Sequence, residues 1–182
     1  RKKFRDILQA FIRLNEPNSR LIVKATCRQP IDIQLPRVEV INDLLSDEQM
    51  NELHNRSDCY VSFSHSEGIG MGAVEAALRD KPVIVTNYGG APEYVKTPYM
   101  IDCELQELEK DDFLFKKGML WGNPNFDQLL EFMRHAYDTR VRYMDHEHTK
   151  NLVGRENVLK EFILNVVGSE NDKADEDSTT HH

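Results

Sequence analysis

The feature that most restricts how this chain folds is an alternation of short apolar runs, rich in β-branched residues, with segments whose apolar residues recur at helical spacing. Phe4, Ile7, Leu8, Phe11 and Ile12 share one face and predict a helix, and Arg20–Thr26 predicts the strand that follows it. Pro30 and Pro36 mark the loop to a second strand over Arg37–Asn42. Ser46-Asp47-Glu48-Gln49 has the form of a capping box and opens a helix ending near Arg56. Strands are then predicted at Cys59–Ser64, Lys81–Thr86 and Tyr99–Cys103, and helices at Met71–Arg79, Phe126–Arg140 and Arg155–Val167. No internal repeat is present. Strands and helices alternating in this way predict an α/β fold, with a mostly parallel sheet covered by helices on both faces. A doubly wound sheet normally opens with a strand, whereas this chain opens with a helix.

Composition narrows the function. The 182 residues, 40% hydrophobic and 30% charged, suffice for one domain with a sizeable core. Lys and Arg number 23 against 31 Asp and Glu, and the longest basic run is Arg1-Lys2-Lys3, so a basic stripe that could track nucleic acid is missing. No apolar stretch approaches the roughly 18 residues of a membrane span, and the first residues lack a signal peptide's apolar core, so the chain reads as soluble and cytoplasmic. Residues 169–182 hold five acids, one base and no apolar side chain larger than Ala174; they read as a disordered acidic tail ending in His181-His182, a tag remnant. The folded domain is therefore expected over 1–168. Cys27, Cys59 and Cys103 have neither metal-site nor disulfide spacing and read as buried reduced thiols. His146 and His148, at i and i+2 about Glu147, point to different sides of a helix, which predicts a solvated face and no metal site.

The chemistry concentrates between Ser64 and Glu93. Gly68, Gly70 and Gly72 lie between a strand and a helix, where a ligand can press against backbone and the helix start offers amides. That geometry suits an anion. Glu67 stands in the loop and Glu75 about one turn into the helix; two acidic acceptors beside an anion hole suit a ligand carrying both phosphates and sugar hydroxyls. A rival reading is a NAD-binding module, because Gly68, Gly70 and Ala73 satisfy G-x-G-x-x-A and Glu93 lies 20 residues further on. Against it, that fingerprint normally follows the first strand directly, and here Ser64 to Glu67 intervene and at least two strands precede.

Glu67 and Glu75, with seven residues between them, followed by Lys81-Pro82-Val83-Ile84-Val85-Thr86-Asn87 and by Gly89-Gly90-Ala91-Pro92-Glu93, resemble the donor-binding signature of retaining GT-B glycosyltransferases of the group 1 (family 4) type. Ile7-Leu8-Gln9-Ala10-Phe11 resembles the first helix of that family's C-terminal domain. Trp121-Gly122-Asn123-Pro124-Asn125, with Met133-Arg134, is similar to a late segment of polysaccharide-building members. The resemblance implies a Rossmann-like domain, the C-terminal half of a GT-B fold, that binds a GDP- or UDP-linked hexose and needs no other cofactor and no metal. Glu67 is then the catalytic-site acid on the hexose hydroxyls, and Glu75 binds the ribose. Backbone about Gly68, Gly70, Met71 and Gly72 meets the sugar and diphosphate, Lys2 and Lys3 stand where a phosphate-binding Lys belongs, and Tyr88, Gly89 and Gly90 border the donor. His65 reads as packing.

The same resemblance exposes departures. The family's domain begins with a strand ending in Gly-Arg, so the strand before Arg1, and an N-terminal domain presenting the acceptor glycan, are expected outside this chain. Arg79-Asp80 stands where Gly commonly closes the helix, and Ile69 where an aromatic is usual. Alternatives are a sugar-nucleotide 2-epimerase of the same architecture or a non-catalytic module; the late segment favours GDP-mannose over UDP-glucose.

Overall fold

The computed structural model describes residues 2–26, 29–112 and 115–161. Cys27, the part of the expected Arg155–Val167 helix beyond 161 and the tail over 169–182 lie outside the described residues. The elements run α1 (Phe4–Leu14), β1 (Leu21–Lys24), β2 (Val38–Ile41), α2 (Asp47–Arg56), β3 (Tyr60–Val61), α3 (Met71–Ala77), β4 (Val83–Thr86), α4 (Ala91–Tyr94), β5 (Met100–Ile101), β6 (Cys103–Glu107), β7 (Leu120–Pro124), α5 (Phe126–Thr139) and α6 (Glu147–Val153). The chain is helical again over 155–161.

β4 shows why the sheet needs helices on both faces. All four of its residues are buried, and the three apolar ones alternate between two cores. Ile84 joins Ala10, Phe11, Leu14, Phe63, Leu129 and Met133 under α1 and α5, while Val83 and Val85 join Ala73, Val74, Ala76, Ala77, Ala91 and Val95 under α3 and α4. A strand with no solvated face reads as a continuous apolar run, which is how Val83-Ile84-Val85 reads. The expected α/β architecture, parallel strands flanked by helices, is what the chain adopts.

The parallel sheet is not continuous, however. β1 pairs with β2, and β3-β4-β5 form a separate three-stranded piece. Between β1 and β3 lies a slot of about 890 Å³, floored by Phe11 and Met133 and bordered by Ile22, Lys24, Val61 and Ile84. The predicted third strand is short as well: only Tyr60–Val61 pairs as a strand, although Ser62 still donates to the Ile84 carbonyl at 2.9 Å.

Elements absent from the expected inventory are the antiparallel hairpin β6–β7, α4 and α6. α6 corrects one expectation outright. His146 is not on a solvated face: it is 2% exposed, and its Nε2 donates to the Lys81 carbonyl at 2.8 Å. His148 Nε2 donates to the Glu93 carbonyl at 2.7 Å and Thr149 Oγ1 to the Tyr94 carbonyl at 2.7 Å, so α6 clamps α4 from outside. The α2 capping box forms as predicted, with Gln49 N–H donating to Ser46 Oγ and Ser46 N–H to Gln49 Oε1. No helix among the described residues is long and apolar enough to cross a membrane.

Candidate functional site

The glycines do different work. Gly70, with φ +77°, is the left-handed cap before α3, a conformation that a side chain disfavours. A β-carbon at Gly72 would come within 2.4 Å of the Tyr60 hydroxyl, so this glycine lets the phenol pack on the helix start. At Gly68 a β-carbon would meet nothing within 4 Å: that backbone faces open space. The Gly89-Gly90 turn is pressed onto the loop from the other side. Gly90 N–H donates to the Glu67 carbonyl at 2.9 Å, a β-carbon at Gly90 would lie 1.6 Å from the Gly68 carbonyl oxygen, and one at Gly89, with φ +73°, 2.7 Å from that of Glu67. Close backbone packing therefore fixes the Glu67 loop, and α6 holds the α4 that follows the turn.

On this base the Glu67 carboxylate is largely buried, its side chain 14% exposed. Ser64 Oγ donates to Oε1 at 2.6 Å, and the Lys2 ammonium pairs with the same oxygen. Lys2, Ser64, Glu67, Gly68, Gly89 and Gly90 are thus brought together. Met71 and Gly72 open α3, ahead of the Ala73 and Val74 amides that bond back to the Gly70 carbonyl, so their N–H groups lie in the turn where a helix has no internal acceptor.

Glu75 faces elsewhere. Its side chain is 38% exposed, it borders the slot between the two sheet pieces, and its Oε2 accepts from His54 Nε2 at 3.2 Å. Glu67 does not border that slot. Both acids act on Tyr60: burial, with Glu67 and then Glu75 adding to it, pushes the phenol up to about 12, so it stays a neutral hydroxyl. Lys3 is turned away from the glycine loop; it pairs with Asp6 at 3.0 Å, reaches Asn123 Oδ1 at 3.5 Å and lies over the Phe63 ring.

The hairpin supplies the site's side wall. Gly122 on β7 packs beneath Tyr88, whose ring would be 2.7 Å from a β-carbon there, and its N–H donates to the His65 carbonyl at 3.1 Å. His65 packs rather than opening to the site. It is 9% exposed, stacks on Trp121 at 3.9 Å and 4°, and donates from Nδ1 to the Gly122 carbonyl at 2.7 Å. Burial pushes its imidazole below the ordinary value, the Gly122 bond resists, and nearby Lys3 adds a smaller push down. Cys59 and Cys103 are free thiols, half-buried rather than buried as expected, and burial pushes them up to about 12 and about 11. No cluster of three His, Cys, Asp or Glu able to hold a metal occurs among the described residues.

Residues that sequence reasoning missed are Ser64, Tyr60 and His54. Ser64 carried a usable signal, three residues before Glu67 at the end of a strand. The other two meet the site only through tertiary packing. Glu93, the acid of the NAD reading, is exposed on α4 and not at a strand end.

Residues 35–99 match the family model of group 1 glycosyl transferases, a span that contains β2 through α4, both acids, the glycine loop and the Gly89-Gly90 turn. The hairpin, α5 and α6 lie outside it. No curated protein matches the chain.

Proposed function

We propose that this chain is a glycosyltransferase domain that binds a nucleotide-diphosphate hexose and holds it for transfer, with retained anomeric configuration, to an acceptor hydroxyl. The observation that carries the reading is the Glu67 loop: a largely buried carboxylate, fixed by the Gly89-Gly90 backbone, stands beside the open face of Gly68 and the first amides of α3. Such an acid accepts hydrogen bonds from hexose hydroxyls while the amides meet the diphosphate. Glu75 takes the ribose hydroxyls at the slot, so the donor spans from one acid to the other across the helix start.

In the reaction, the bond from the anomeric carbon to the phosphate oxygen breaks and a bond to the acceptor oxygen forms on the same face. The acceptor proton passes to the departing phosphate. Lys2 and the α3 amides stabilise the charge that develops there. Lys2 shares Glu67 Oε1, so the cation needed by the leaving phosphate is already seated beside the sugar site. The acceptor glycan approaches through a second domain facing this one. The late segment around Trp121 favours a mannose donor linked to GDP.

The test separates sugar from nucleotide. Calorimetric titration of Glu67→Gln should show GDP-mannose or UDP-glucose bound about 10-fold or more weakly, the loss of a charged hydrogen bond, with free GDP or UDP unaffected. Equal losses for sugar-linked and free nucleotide, or none for either, would contradict the assignment.

A further inference from the structure

We propose that His54 is a positioning residue for the ribose: from α2 it holds the Glu75 carboxylate by one oxygen and leaves the other for the nucleotide's hydroxyls. The inference rests on the donor reading of Glu75 and adds a residue outside the signature that carries that reading.

Three observations lead to it. First, His54 is the most buried residue of α2, 7% exposed near its end, while the other residues of Asp47–Arg56, Met50 and Leu53 included, are half-buried or exposed. Its ring lies 6.5 Å from that of Tyr60, the phenol that also packs on Gly72. Second, its Nε2 donates to Glu75 Oε2 at 3.2 Å across 21 residues of sequence, while Oε1 of Glu75 has no hydrogen-bond partner among the described residues. A half-exposed glutamate on a helix samples several rotamers; a buried donor on a neighbouring element selects one.

Third, the obvious competitor is occupied. Arg79 stands at i+4 from Glu75, where an ion pair along α3 would be expected. Its guanidinium instead donates to the Glu75 backbone carbonyl at 2.6 Å and pairs with Asn51 on α2. Arg79 thereby fastens α3 to α2 without touching the carboxylate, and the orientation of the acid falls to His54.

The experiment compares ribonucleotide with a nucleotide lacking the hydroxyls. The full chain is titrated with GDP and UDP and with their 2′,3′-dideoxy counterparts, as wild type, His54→Phe, His54→Gln and Glu75→Gln. Phe keeps a ring against Tyr60 but has no donor; His54→Leu replaces it should the Phe variant not fold. Wild type should favour the ribonucleotide by about 10-fold or more. His54→Phe should reduce that preference to within about 3-fold while leaving dideoxynucleotide affinity unchanged, and His54→Gln, which offers an amide N–H, should restore most of it. A merely structural stitch between helices would lower melting temperature in the Phe variant without changing the ratio, and that result overturns the proposal. A wild type that does not distinguish the two nucleotides overturns the ribose assignment of Glu75 itself, as would a Glu75→Gln variant that keeps the preference.

Discussion

Gly68 and Gly90 lie on opposite sides of one loop and give opposite predictions. At Gly90 the added β-carbon collides with backbone that has no room to retreat, so Gly90→Ala should cost about 2–4 kcal/mol and displace Glu67. At Gly68 nothing stands within 4 Å, so Gly68→Ala should leave stability within about 0.5 kcal/mol of wild type and yet weaken donor binding, because the methyl enters the space assigned to the donor in the proposed function. Urea unfolding of the two variants, with a donor titration of the second, checks both. His65 adds a pH dependence. Its folded value is depressed, so below about 6.5 the unfolded chain takes up a proton that the folded chain refuses. Stability from this residue is complete above about pH 6.5 and is lost as pH falls toward the folded value; His65→Asn should flatten that part of the profile in denaturant titrations from pH 7.5 to 5. At this scale the glycines and Glu67 were legible as a candidate site because their residue types and order suit the chemistry proposed for it. His54 was not: a single histidine among Glu52, Leu53, Asn55 and Arg56 acquires meaning only when folding carries α3 to it.

Among the elements, the open edges of β1 and β3 are the least satisfied part of the sheet. Tyr60 and Ser62 donate to Pro82 and Ile84 on β4, and strand alternation turns the Val61 N–H the other way, toward the slot. Amide hydrogen exchange should therefore find Tyr60 and Ser62 protected and Val61 exchanging at least about 10-fold faster, and equal protection of all three would show the slot to be closed in solution. Continuous burial made β4 readable, and the capping box made α2 readable. The hairpin β6–β7 was not readable, because Cys103–Glu107 is mostly exposed, with Leu105 outward, so no apolar alternation marks it. α4 is four residues long with Pro92 in its first turn, too short for any period to register.

Over the whole molecule, the two cores and the clamped turn serve one end: they hold the carboxyl ends of β3 and β4, where the Glu67 loop and the Gly89-Gly90 turn meet. Ligands of open α/β sheets bind at such ends. The fold class followed from the alternation of elements alone, whereas the break in the sheet and the divergence of Glu67 from Glu75 depend on where the pieces pack. Thermal unfolding of the full chain with GDP, UDP, ADP or NADH tests the central claim most directly. One nucleoside diphosphate should stabilise the chain by about 2.7 kcal/mol at 100 times its dissociation constant, a rise on the order of 5–10 °C, with NADH weaker. A melting temperature indifferent to all three nucleoside diphosphates, or raised first by NADH, would contradict it.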